Sequence, residues 1–208
     1  MKIALFDYGV GNLHSLGKAL QAGGAQVEVT RDWDAALEAD GLVLPGVGAF
    51  SAAVEALPPD LGPIRDALRR GYPCLGICLG MQLLFDGSEE GPGTGIGVIP
   101  GRVRRLRARI VPQMGWNAVE TVDDPLFRGV REPTAYYANS FVCEPTDPAH
   151  ALAWSEHEGD RFVAAARRFR TWGVQFHPEK SSRQGRQMLS NFLDEVRATV
   201  PGAGEGGP

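Results

Sequence analysis

Short apolar runs recur along the first half of the chain, each followed by a stretch of helical spacing. Ile3-Ala-Leu-Phe6 is apolar at every position, so residues 2–6 predict a strand buried on both faces. Leu13, Leu16 and Leu20 then recur at helical spacing, and Gly23-Gly24 ends that helix. Residues 26–29 and 42–44 predict two more strands, the second stopping at Pro45-Gly46. Residues 49–57 and 63–70 predict helices. Residues 74–77 predict a buried strand, and residues 79–85 predict a helix that starts directly after it. Strands alternating with helices in this way predict an α/β fold: a mainly parallel central sheet flanked by helices on both faces.

The pattern changes after residue 90. Residues 91–101 are rich in turn formers. Residues 103–106, 117–121, 135–142, 151–154 and 162–167 then predict strands with few helices between them. These predict antiparallel strands added to the parallel sheet. A last apolar strand over 171–176 leads into a helix over 181–197. The layout reads as one domain over residues 1–198, with the glycine-rich residues 199–208 as a disordered tail.

Charge and cysteine content narrow the function classes. The net charge of −4 over 208 residues gives no general attraction to nucleic acid. Five arginines crowd residues 102–109, and a solvated face is the default reading of such a run. No apolar stretch reaches the ~20 residues of a membrane span. Asp7 interrupts the first apolar run too early for a secretory signal, so a cytoplasmic protein is expected, without membrane or nucleic-acid partners. Three cysteines at irregular spacing make neither a disulfide framework nor a metal site. Gly9-Val-Gly11 follows a strand, but His14 stands where a dinucleotide fingerprint needs its third glycine.

The chemistry concentrates at Gly76-Ile-Cys-Leu-Gly80. It lies between a predicted strand and a predicted helix, the arrangement of a nucleophile elbow with cysteine in the serine position. A nucleophile on so sharp a turn needs small neighbours two positions before and after it. The start of the helix behind it favours a thiolate and offers free N–H groups to an oxyanion. Alone, the segment leaves a core thiol and a nucleophile equally open. Cys74 and Cys143 have no such frame and read as packing.

A cysteine nucleophile needs a base and a group to orient it. His177 ends an apolar strand and is followed by Pro178 and Glu179. In an extended segment residues i and i+2 share a face, so Glu179 is placed to hold the His177 imidazole. Both strand ends belong to the carboxyl edge of a parallel sheet, where α/β sites form. Pro45-Gly-Val-Gly48 ends a third strand, and its glycines free the peptide of Val47 to turn its N–H towards a ligand.

Together these segments resemble the class I (triad-type) glutamine amidotransferases. The matching pieces are Pro45-Gly-Val-Gly48, Gly76-Ile-Cys-Leu-Gly-Met-Gln82 and Gly173-Val-Gln-Phe-His-Pro-Glu179. Asp7-Tyr-Gly-Val-Gly-Asn-Leu13, Pro112-Gln-Met-Gly-Trp-Asn117 and His177-Pro-Glu-Lys-Ser181 resemble the branch serving histidine biosynthesis. The resemblance implies a flavodoxin-like fold and glutamine hydrolysis through a Cys78 thioester, with His177 as base and acid and Glu179 orienting it. It implies an oxyanion hole from the N–H groups of Val47 and Leu79. It implies contacts to L-glutamine from Gly48, Gln82, Glu90, Ser140 and Phe141, and no metal or other cofactor. It further implies a heterodimer in which ammonia passes to a (β/α)8-barrel cyclase subunit, with Asn12, Trp116, Asn117, Tyr137 and Lys180 around the exit. Asn139 and Phe141 depart from the family's usual His and Tyr, and Asp86 from a longer acid. The glutaminase subunit of another ammonia-channelling synthase, a thiol hydrolase on a related fold, and a non-catalytic scaffold that keeps the fold are the competing readings.

Overall fold

A computed structural model of the protein describes residues 1–9, 13–46, 48–131 and 133–200. Asn12, Val47 and residues 201–208 of the tail lie outside these described residues.

The first half alternates as expected. β1 (Lys2–Phe6), α1 (His14–Ala22), β2 (Gln26–Thr30), α2 (Trp33–Leu37), β3 (Gly41–Leu44), α3 (Phe50–Glu55), α4 (Gly62–Arg69), β4 (Cys74–Ile77) and α5 (Leu79–Leu83) follow in order. The short α2 is absent from the hydrophobic pattern. Its signal is polar: the Asp32 carboxylate accepts from the N–H groups of Asp34 and Ala35 and so caps the turn. The remaining elements are β5 (Gly87–Ser88), β6 (Gly101–Arg105), β7 (Gln113–Ala118), β8 (Glu120–Thr121), β9 (Thr134–Asn139), β10 (Phe141–Pro145), β11 (Ala151–His157), β12 (Asp160–Arg168), β13 (Thr171–Val174) and α6 (Ser182–Arg197).

The main sheet runs in the order β2-β1-β3-β4-β13-β12-β10-β6-β5. From β2 to β13 all neighbours are parallel; β13, β12, β10 and β6 then pair antiparallel. Side chains of β1 alternate between two cores. Ile3 and Leu5 pack on the side of Leu16, Leu20, Leu189 and Leu193, whereas Ala4 and Phe6 pack with Trp33, Ile64 and Leu68. This double burial is why β1, β3 and β4 read as unbroken apolar runs. β2 is an edge strand, with Val29 half exposed.

Two expected strands divide. Residues 117–121 fall on the end of β7 and on β8, which pairs with β11 in the main sheet, because Val119 breaks the pairing between them. Residues 135–142 form β9, which pairs with β7 in a separate two-stranded sheet, and β10, which belongs to the main sheet. The chain changes sheets at Ser140, where the Asn139 side-chain amide donates to the Phe141 carbonyl. The polar pair Asn139-Ser140, between the apolar stretches on either side, is the only local mark of that bend.

The arginine run is only partly a solvated face. Arg102, Arg105, Arg107 and Arg109 are exposed, but Arg104 is buried. Its guanidinium grips both carboxylate oxygens of Asp160 at 2.6 and 2.8 Å and also pairs with Glu144. Burial is tolerated because the charge is paired and hydrogen-bonded.

Candidate active site

β4 and β13 are parallel neighbours whose last residues, Ile77 and Val174, stand side by side. The chain segments leaving them therefore emerge together at the carboxyl edge of the sheet. The Cys78 N–H donates to the Val174 carbonyl at 2.7 Å, which ties the two strand ends to one another.

Cys78 turns the chain from β4 into α5 with φ 50° and ψ −106°, a conformation strained for a residue bearing a Cβ. Sterics make the glycines around it obligatory. A Cβ on Gly76 would lie 2.6 Å from the Gly80 carbonyl oxygen, and one on Gly80 would lie 2.0 Å from that of Leu44. Gly46 crosses the same turn, and a Cβ there would lie 1.8 Å from the Ile77 oxygen. The segment after β3 is thereby laid against the elbow.

Past Val174 the chain reaches His177, 3% exposed, and turns through Pro178–Lys180. His177 Nδ1 meets Glu179 Oε1 at 2.9 Å, so the carboxylate holds Nδ1–H and leaves Nε2 for the thiol. Burial disfavours the imidazolium, but hydrogen bonds and charge from Cys78 and Glu179 outweigh it and raise the His177 pKa to about 9. The backbone here is knotted to β9. The His177 N–H donates to the Tyr136 carbonyl; Ser181 Oγ donates to the His177 carbonyl and accepts from the Tyr136 N–H.

The other thiols differ in kind. Cys74 and Cys143 are fully buried, and burial pushes both thiols well above their ordinary range. Neither lies on a turn.

Cys78 and His177 line a cavity of about 250 Å³ together with Gly46, Gly48, Leu79, Gln82, Glu90, Ser140, Phe141 and Lys180. The expected glutamine contacts Gly48, Gln82, Glu90, Ser140 and Phe141 thus share one wall system. Leu79 opens α5, where a backbone N–H has no partner within the helix. Glu90 also receives the N–H of Phe50 at 3.0 Å and so tethers the start of α3. The cavity lies below the ~300–1,000 Å³ of drug-sized ligand sites and suits a small polar molecule. A larger groove of about 650 Å³ lies between β10 and β11. Its buried charge, Arg104, is already paired, and it holds no nucleophile with a base.

The expected exit residues separate. Lys180 is at the cavity, with its ammonium 5.6 Å from the centre of the Tyr136 ring, and Trp116 stands edge-on to the same ring. Tyr137 does not belong with them. It is fully buried, and its hydroxyl lies 2.6 Å from Ser155 Oγ. Asn117 does not either: its side-chain amide donates to the Glu156 carbonyl and accepts from the Ala118 N–H. Side chains alternate across a strand, so Trp116 and its cross-strand partner Tyr136 face one way while Asn117 and Tyr137 face the other. Tyr136, which the sequence analysis does not name, is the ring that lies between Trp116 and Lys180, on the face of β9 that alternation assigns to it.

The model for glutamine amidotransferase class-I matches residues 4–196. The imidazole glycerol phosphate synthase subunit HisH of Synechococcus elongatus is 44% identical over 205 residues, covering 95% of this chain and 94% of its own. The HisH subunit of Leifsonia xyli subsp. xyli is 47% identical over 206 residues, covering 93% and 98%. Among solved structures, a glutamine amidotransferase superposes with a TM-score of 0.74 at 17% identity, over 93% of this chain and 98% of its own. The structure of PurLQS from Thermotoga maritima gives 0.68 at 17% identity, over 93% and 97%. These two likenesses concern the fold.

Proposed function

Because the chain belongs to the class-I glutamine amidotransferase family, we propose that it is the glutaminase subunit of an imidazole glycerol phosphate synthase. It hydrolyses glutamine to glutamate and ammonia and delivers the ammonia to a (β/α)8-barrel cyclase subunit in histidine biosynthesis. The near-full-length identity to HisH subunits carries this reading. The site supplies its chemistry.

In this reading the Cys78 sulfur attacks the side-chain amide carbon of glutamine. The N–H groups of Leu79 and Val47 hold the oxyanion that forms. His177 gives its Nε2 proton to the departing ammonia, leaving a γ-glutamyl thioester. It then takes a proton from the water that cleaves the thioester, and Glu179 keeps the ring oriented throughout. The 2.9 Å contact between His177 and Glu179, and the strained turn at Cys78, support these roles. Three free, buried cysteines suit the cytoplasm.

The test compares glutamate release by the purified chain alone and with its barrel partner. Release is expected to be slow alone and at least tenfold faster in the complex, with Cys78→Ala and His177→Ala each lowering it about 10³-fold or more. Full activity without a partner, or sustained turnover in Cys78→Ala, overturns the reading.

A further inference from the structure

Gln175 follows directly on β13, is completely buried, and is not among the residues lining the cavity. Its side-chain Nε2 nevertheless lies 3.4 Å from Cys78 Sγ. The direction of its amide is dictated by a chain of partners. The Phe141 carbonyl can only accept, and it receives the Gln82 side-chain amide at 3.3 Å. Gln82 Nε2 is therefore turned inwards, and it also donates to Gln175 Oε1 at 3.4 Å. With its oxygen held by Gln82, Gln175 presents its N–H to the sulfur. The backbone of Gln175 is pinned as well, its N–H donating to the Ala164 carbonyl at 2.8 Å.

We propose that Gln175 is a further catalytic residue, donating a hydrogen bond to Cys78 Sγ that stabilises the anionic sulfur and aims it into the cavity. This rests on the role assigned to Cys78 above. The sulfur then has two fixed donors, His177 and Gln175, and is itself only 7% exposed. A buried amide set beside a sulfur that never becomes charged would gain little. Beside a sulfur that becomes a thiolate it makes a charge-assisted bond, of the stronger class. Gln82 serves here as the strut that orients Gln175, in addition to lining the cavity.

Two variants of matched size test it in the complex with the barrel subunit: Gln175→Glu, which turns the donor into a carboxylate, and Gln175→Met, which removes it. Both should lower kcat for glutamine hydrolysis at least tenfold and leave KM within about threefold, because Gln175 does not face the substrate space. Alkylation of Cys78 by iodoacetamide, followed by mass spectrometry without glutamine, should slow at least fivefold. Circular dichroism and the thermal midpoint identify a variant that fails to fold, in which case the other decides. A kcat within twofold of wild type, a loss confined to KM, or an unchanged alkylation rate overturns the proposal. If the wild-type complex does not hydrolyse glutamine, the functional reading falls, and the alkylation arm still decides what Gln175 does to the sulfur.

Discussion

His177 sits where burial and charge pull in opposite directions. Its 3% exposure penalises the imidazolium, yet the sulfur of Cys78 and the carboxylate of Glu179 bring the pKa up from 6.5 to about 9. A group that binds its proton more tightly when folded stabilises the fold fully below the unfolded value and loses that contribution as pH rises to the folded one. The window here is pH 6.5 to 9. Wild type should therefore exceed His177→Gln in unfolding free energy by on the order of 3 kcal/mol or less near pH 6, from 1.36 kcal/mol per unit. The margin should shrink steadily towards pH 9. Paired denaturant titrations across that range measure it, and a margin independent of pH would show that His177 is not held protonated by its neighbours.

The elements position this chemistry through close backbone contact more than through side chains. Gly76, Gly80 and Gly46 stack three chain segments against the nucleophile, and each would drive a Cβ into a carbonyl oxygen or backbone. Gly80→Ala should cost about 1–3 kcal/mol, or more if β3 cannot move, and should abolish glutamine hydrolysis by displacing the elbow from Leu44. A variant with the wild-type thermal midpoint and activity would contradict this packing. The elbow was legible in the chain because its requirement is local: small residues at fixed offsets around one cysteine. So were the parallel strands, whose double burial leaves unbroken apolar runs. The short α2 was not legible, because a polar cap starts it and it spans too few residues to show a period. The break at Ser140 leaves only the polar pair Asn139-Ser140 as a local mark, and nothing local shows that the two halves join different sheets. The buried Arg104 was hidden in its run because its partner Asp160 comes from a strand more than fifty residues on.

At the scale of the molecule, the two-stranded sheet of β7 and β9 carries apolar side chains outwards beside the cavity mouth. Met114 and Trp116 are 65% and 55% exposed, and Tyr136 lies between Trp116 and Lys180. Exposed aromatics grouped at the rim of a reaction site are poorly used by a lone chain, and they are the residues that dominate binding when a partner covers them. If ammonia passes to a second subunit as proposed above, this face must be covered, since an open rim would lose the product to water. Register decides which residues face outwards there. Trp116 and Tyr136 are directly opposed on the outer face, whereas Tyr137 is spent on Ser155, whose hydroxyl donates onward to the Ala118 carbonyl. Trp116→Ala and Tyr136→Ala should each weaken binding of the partner subunit by at least tenfold, about 1.4 kcal/mol, with the fold intact. Tyr137→Phe should behave oppositely, lowering the unfolding free energy by roughly 1 kcal/mol and leaving affinity unchanged. Titration calorimetry alongside thermal unfolding separates the two effects. An affinity loss in Tyr137→Phe with none in Tyr136→Ala would assign the interface to the wrong face of β9.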